Sequence, residues 1–197
     1  MSPLETLGFA LGTSFASGLN VYATVAAAGI MQRLGLVNLP ESLQVLTHPI
    51  VLGLAVTLFV IEFIADKIPY VDSVWDAIHT LVRPAAAAGL GWGIFNTQPA
   101  TMQAIAALLA GTVALTSHGA KATTRAAANT SPEPFSNIIL SVIEDVLAAG
   151  LTWLAMAHPV VTAFIVVVLL GLAVLIIRGL VRFFKRTLGS PPASATS

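Results

Sequence analysis

Long apolar stretches, each opened by a proline and separated by short charged segments, set the rhythm of this chain. Pro3, Pro49, Pro99 and Pro159 each stand directly before an apolar run. Proline is favoured at the first helical position, where its missing N–H would have no intrahelical partner. No Asp, Glu, Lys or Arg occurs between Thr6 and Gln32, between Pro84 and Ala120, or between Val146 and Ile177. Runs of this length match the ~20 residues that a helix needs to cross a hydrocarbon core of about 30 Å. The pattern predicts an all-α polytopic membrane helical bundle, with spans near residues 4–31, 49–65, 72–95, 99–117, 135–157 and 159–184. The third span is strictly apolar only from Pro84 to Phe95, so an amphipathic lead-in must supply the rest of its length, with a kink expected at Pro84. Residues 1–189 read as a single transmembrane domain, and the small polar tail from Ser190 reads as disordered.

Composition closes off several classes. Charged residues make up 9% of the 197 residues, against roughly 25% in an ordinary soluble domain. Nine acids and nine bases cannot cover a water-facing surface. The formal charge is zero and no basic stripe occurs, which argues against a nucleic-acid partner. With no cysteine there is no disulfide framework, thiolate metal site or thiol redox chemistry. The first residues lack the basic region of a cleaved signal peptide, so the first apolar stretch is expected to stay as a span. No Ser-His-Asp set, His-Glu-x-x-His pattern, P-loop or dinucleotide fingerprint is present, so neither an enzyme nor a cofactor is expected.

Six spans would place both termini on one side. Lys67, Arg83, Lys121, Arg125, Arg178, Arg182, Lys185 and Arg186 then fall on that side and only Arg33 falls opposite. The positive-inside rule puts both termini in the cytoplasm of a bacterial inner (plasma) membrane.

Two segments match when slid by 61 positions: Asp72 to Arg83 running on to Trp92, and Glu133 to Glu144 running on to Trp153. Acid meets acid at the start, Thr80 meets Ser141, and Ala-Ala-Gly-Leu-x-Trp recurs intact. Both copies enter from the cytoplasm, which predicts a parallel internal repeat of helical hairpins, 49–95 and 99–157. Within the first copy Asp72, Asp76, His79 or Thr80, and Arg83 line one helix face, while Val71, Val74, Ile78 and Leu81 line the other. An interfacial helix with its polar face in water would show the same stripe. Glu144 and Asp145 sit about halfway along the fifth span, where a lone carboxylate costs several kcal/mol unless paired or hydrated. Arg83 and Glu144 occupy equivalent positions with opposite charge, so a buried pair across the repeat axis is expected.

Further candidates lie at helix ends. Glu62 and Asp66 share a face one turn apart, a spacing that suits cation binding or proton transfer, with a solvated terminus at Asp66-Lys67 as the plain alternative. His118, Lys121 and Arg125 share one side of the fourth span and could hold a phosphate or carboxylate, or anchor to lipid headgroups. His48 and His158 precede prolines and read as helix-start residues without metal-ligand spacing. In the first span Ser14, Ser17 and Gly18 suggest close helix packing, and Asn20 an interhelical hydrogen bond.

The segments Glu62-Phe-Ile-Ala-Asp66-Lys67-Ile-Pro69, Asp72, Trp75-Asp76, Arg83-Pro84 and His118-x-x-Lys121-x-x-x-Arg125-x-x-x-Asn129-x-Ser131-Pro132-Glu133-Pro134 carry a resemblance. In them the chain resembles the bacterial membrane-protein family called domain of unknown function 4126. The resemblance extends over nearly the whole chain except the tail. It implies a membrane bundle whose two polar loops hold the site, and it brings no activity with it. The resulting expectation is a small transporter or channel-like protein for a cation, proton or small anion. Its site opens to the cytoplasm and is lined by Glu62, Asp66, Asp72, Asp76, Arg83, His118, Lys121, Arg125, Glu133, Glu144 and Asp145. The alternatives are a structural or lipid-binding membrane protein and, third, an intramembrane enzyme acting on lipid. Membrane lipid is the expected partner in each case, and assembly as a homo-oligomer is left open.

Overall fold

Prolines and capping side chains start the helices where the apolar runs begin. The computed structural model describes residues 1–68, 70–130 and 135–188. Six α-helices and one 3-10 helix account for most of them, and no strand occurs among the described residues. The order is α1 (Pro3–Arg33), the 3-10 helix (Glu41–Thr47), α2 (Pro49–Ala65), α3 (Val71–Ile94), α4 (Ala100–Ala128), α5 (Phe135–Ala157) and α6 (Pro159–Leu188). A capping box opens α1: the Ser2 N–H donates to Glu5 Oε2 at 2.6 Å and the Glu5 N–H to Ser2 Oγ at 3.3 Å. At the start of α2, His48 Nδ1 accepts from the Ile50 N–H at 3.4 Å. Helix α3 is continuous through Pro84. The tail from Ser190 lies outside the described residues.

Helices α1, α4, α5 and α6 are long and apolar enough to cross a membrane, and the 3-10 helix and α2, bent by 65°, pass the same test together. Large apolar side chains point outward along α6, including Phe164, Val167, Val168 and Leu175, each more than 60% exposed. A continuous apolar surface of this kind is stable against lipid and unstable against water. The orientation of α3 agrees. Its apolar residues Val74, Ile78 and Leu81 face outward, while Asp72, Asp76, His79 and Arg83 are buried. This overturns the interfacial reading of residues 72–83, because a helix lying at the headgroups would turn that polar face to water.

Helix α1 departs most from expectation. Asn20 has non-helical backbone angles (φ −154°, ψ 103°) in the middle of it. Phe9 and Thr13 from before the break line one small cavity together with Thr24, Val25 and Ala28 from after it. In a straight helix Phe9 and Ala28 would stand about 28 Å apart, so the helix folds back on itself at residues 18–20. Leu36, Val37 and Asn38 accordingly return beside Met1, Glu5 and Phe9. The first apolar run is therefore a pair of arms folded back on each other.

The consequence for topology is direct. Met1 shares recesses with Asn96, Thr97 and Gln98 of the α3–α4 turn and with Ala157 and Pro159 of the α5–α6 turn. Helix α6 leaves that end and terminates at the other. The described chain thus begins and ends at opposite ends of the bundle, which corrects the expectation that both termini share a face.

Helix α1 touches every other helix, and small residues make that possible. A Cβ on Gly18 would collide with Ser117 Oγ and the Ala114 carbonyl of α4. A Cβ on Gly12 would meet Ala155 and Thr162. The small residues of the first run thus mark close packing, as expected. The neighbours expected to form hairpins, α2 with α3 and α4 with α5, touch only sparsely, whereas α3 packs extensively on α4 and α5 on α1.

Gly18→Ala should lower stability by about 1–3 kcal/mol, the usual cost of overpacking a tight site, read as a lower melting temperature in detergent. An unchanged melt would mean that the tip does not seat against α4. Single-cysteine variants test the fold-back. In oriented vesicles an impermeant thiol reagent should label Ser2→Cys and Gln98→Cys from one side and Arg182→Cys from the other. Labelling of Ser2→Cys and Arg182→Cys from the same side would restore a crossing first helix.

Candidate functional site

Two four-residue spacings meet inside the bundle. Glu62 and Asp66 occupy successive turns at the end of α2, and Lys121 and Arg125 occupy successive turns of α4. Side chains four apart on a helix point the same way, so the two pairs interlock. Lys121 Nζ lies 2.8 Å from Asp66 Oδ2 and 3.4 Å from Glu62 Oε1. Arg125 Nη2 lies 3.0 Å from the same Asp66 oxygen and 2.5 Å from Glu144 Oε2 of α5. Arg83 of α3 closes the inner end, 2.8 Å from Glu62 Oε1 and 3.3 Å from Asp76 Oδ1. At the other end Asn129 donates to both oxygens of Asp72 at 3.0 Å and accepts from Asn137 at 2.6 Å. Glu62, Asp66, Asp72, Arg83 and Arg125 are all 0% exposed.

His118 belongs to the inner end. Its Nδ1 lies 2.6 Å from Arg83 Nη1, and its Nε2 lies 3.0 Å from Thr80 Oγ1 and 3.1 Å from the Asp76 carbonyl. A guanidinium can only donate, so Nδ1 accepts and the ring proton sits on Nε2. Beside it, His79 Nδ1 bonds to the Trp75 carbonyl at 2.7 Å and Nε2 meets the Tyr22 hydroxyl at 3.0 Å. The carbonyl can only accept, so Nδ1 carries a proton.

The folded-back tip of α1 inserts into this cluster. Where a helix ends, its last carbonyls lose their donors. Here Arg83 Nη1 donates to the Gly18 carbonyl at 3.2 Å, Lys121 Nζ to the Leu19 carbonyl at 3.1 Å and Ser117 Oγ to the Phe15 carbonyl at 2.9 Å. Asn20 caps the returning arm, its Oδ1 accepting from the Ala23 N–H at 2.9 Å, and its Nδ2 donates to Asp145 Oδ1 at 2.8 Å. The interhelical hydrogen bond expected of Asn20 is therefore present.

Ten of the eleven residues expected to line a site come together here. Glu133 lies outside the described residues. Asp66 is no solvated terminus, and Lys121 and Arg125 are no lipid anchors: all three are buried and paired. The expected Arg83–Glu144 ion pair is absent among the described residues. Arg83 binds Glu62 and Asp76, and Glu144 binds Lys121 and Arg125. The reason is that α2 and α4 push their own charges between α3 and α5, which a comparison of α3 and α5 alone does not reveal. Sequence reasoning also missed Tyr22, the Gly18 and Leu19 carbonyls and the role of Asn20 as a cap. Gly18 and Asn20 inside an apolar run were the available signal.

Charge does not balance in this interior. Among the described residues, six buried carboxylates (Glu62, Asp66, Asp72, Asp76, Glu144, Asp145) face three buried cations (Arg83, Lys121, Arg125). Lys67, half-buried at the edge, donates to Ser141 Oγ at 3.2 Å. Glu62 Oε2, Asp66 Oδ1, both oxygens of Asp76 and Asp145 Oδ2 have no hydrogen-bond donor. Among the described residues no three His, Asp or Glu side chains are arranged to hold a metal ion, since Lys121 and Arg125 fill the spaces between the carboxylates.

Lys121→Met should cost about 3–5 kcal/mol, because Asp66, Glu62 and Glu144 lose a shared counter-charge in a dry interior. Adding Asp66→Asn should recover part of that loss. A detergent thermal-melt cycle with additive effects, within ~0.5 kcal/mol, would show that the two residues are independent.

Neither the curated proteins nor the solved structures yield a match to this chain. The profile of a family described as a domain of unknown function, DUF4126, matches residues 7–179. That stretch contains the whole charged cluster and all of α1 after Thr6. A match over so much of its length means that the chain belongs to the DUF4126 family.

Proposed function

We propose that this protein is a small proton-coupled transporter or channel-like membrane protein, working without enzymatic chemistry. The observation that carries this reading is the surplus of buried carboxylates over buried cations, six against three among the described residues. An uncompensated carboxylate in a dry interior costs several kcal/mol. Such a cluster must take up protons or mobile cations, and how many it holds depends on its access to water. The broken helix supports a moving part, since discontinuous helices at mid-membrane are where transporters place ion and substrate sites. A small anion is the weaker substrate, because Arg83, Lys121 and Arg125 already grip the protein's own carboxylates.

In this reading the 3-10 helix with α2, and α3 to α6, make five crossings. Lys67, Arg178, Arg182 and Lys185 sit at the end where α6 terminates, Arg33 at the other. The positive-inside rule then puts the C-terminal end of the bundle in the cytoplasm of the cell's inner membrane and Met1 outside. A duplication underlying α3 and α5 fits their burial. Asp76, Arg83, Ala87, Gly91 and Ile94 are buried, as are the residues 61 positions later, Asn137, Glu144, Ala148, Thr152 and Ala155. What the duplication would preserve is an inward-facing stripe, not a packed hairpin.

Purified protein in liposomes should pass protons or alkali cations down an imposed gradient, and Glu144→Gln should reduce that flux at least tenfold. Flux equal to that of empty liposomes for protons, common cations and common anions would favour the rival, a structural or lipid-binding protein in which the same charges only hold helices together.

A further inference from the structure

Of the six carboxylates buried among the described residues, Asp145 alone forms no ion pair. Glu62, Asp66, Asp72, Asp76 and Glu144 each have a Lys or Arg nitrogen within 4.0 Å. Among the described residues, no such ion pair is formed by Asp145. Its Oδ1 accepts from the neutral amide of Asn20 at 2.8 Å, and its Oδ2 is buried with no donor at all. The side chain is only 9% exposed.

The surroundings of Asp145 are charged on some sides and empty on others. From α2 the groups acting on it are Glu62, Asp66 and Lys67, and from α4 Lys121. Glu144 precedes it on α5. The tip of α1 brings Asn20 and no charge, and α6 carries no ionisable residue in its first 19 positions, before Arg178. Charges of both signs thus act on Asp145, Lys121 and Lys67 against Glu62 and Asp66, and none of the cations pairs with it. A buried carboxylate without a paired cation is costly to keep ionised. Asn20 caps the returning arm of α1, so the positive end of that half-helix lies beside the carboxylate and supports its ionised form. The group stands between these opposing influences.

We infer that Asp145 is a proton-binding site of this cluster, and that its occupancy is sensed by the folded-back tip of α1 through Asn20. A proton arriving at the ionised carboxylate forms an O–H bond on Oδ2, the oxygen without a partner, while Oδ1 keeps the Asn20 amide. Loss of the proton restores the anion and strengthens the Asn20 bond, because a hydrogen bond to an ionised acceptor is roughly twice as strong as a neutral one. Asn20 is at once the donor to Asp145, the cap of the returning arm and the residue at which the helix breaks. The charge of Asp145 thus bears directly on the tip whose carbonyls Arg83 and Lys121 hold. The inference deepens the proposed function by naming the proton-carrying group, and its test needs no flux.

The test is infrared difference titration of the full-length protein in lipid vesicles. A carboxylic C=O band should appear on acidification and vanish in Asp145→Asn. In Asn20→Ala the same band should move to higher wavenumber, because its carbonyl loses a donor, and Asp145→Glu should retain a titrating band at a shifted position. Should Asp145→Asn fail to fold, the Asn20→Ala shift decides alone. A band unaffected by Asp145→Asn or by Asn20→Ala, or no titrating carboxyl band in the unmodified protein, would overturn the inference. The two readings fail separately: a titrating Asp145 without flux removes transport and leaves the proton site, whereas flux without this band places the proton elsewhere.

Discussion

Breaking a helix inside a hydrocarbon layer frees backbone carbonyls that lipid cannot satisfy, and in this protein Arg83 and Lys121 take them up. The rest of the arrangement follows from that capture. Two cations brought to mid-bundle need counter-charges, which Glu62 and Asp66 supply from α2, Asp76 from α3 and Glu144 from α5. Those carboxylates in turn attract Arg125, and the cluster extends toward Asp72 and Asn129. The tip can reach this depth only because Gly18 has no side chain to collide with α4.

Such an interior is poorly explained as a device for stability alone. Ion pairs in a low-dielectric core roughly offset their own desolvation, and apolar residues of similar size often hold a fold together as well. Here the pairs do not even close, since carboxylates outnumber cations and five of their oxygens have no donor. A cluster that holds incomplete charge between packed helices gains a reason to exist if protons enter and leave it. In the proposed reading, the broken helix is the part whose position depends on that traffic.

The outer surface tells the same story in reverse. Helix α3 turns its polar face inward and leaves Val74, Ile78 and Leu81 on the outside. In water this would be an inverted helix. In lipid it is the stable orientation, because the low-dielectric solvent is outside and the charges can be satisfied only within.

Much of this was legible in the chain itself. Charge-free runs and the prolines before them located all six helices to within a few residues, except that α4 continues past its expected end at 117 through Lys121 and Arg125 to Ala128. Spacings of four placed Glu62 with Asp66, and Lys121 with Arg125, on shared faces. These features are local, set by helix geometry and by the cost of charge in lipid, so one sequence suffices to read them. Partner choice was not local. Whether Glu144 meets Arg83 or Arg125 depends on which helices stand between them, and the repeat suggested a pairing that α2 and α4 interrupt. The fold-back of α1 was hidden for a related reason. A run of 27 uncharged residues from Thr6 to Gln32 satisfies the length of a crossing helix, and Asn20 costs the same in a straight helix or a broken one until something binds the carbonyls beside it. Arg83 and Lys121 lie 63 and more positions further along the chain, and only the tertiary structure brings them to the break.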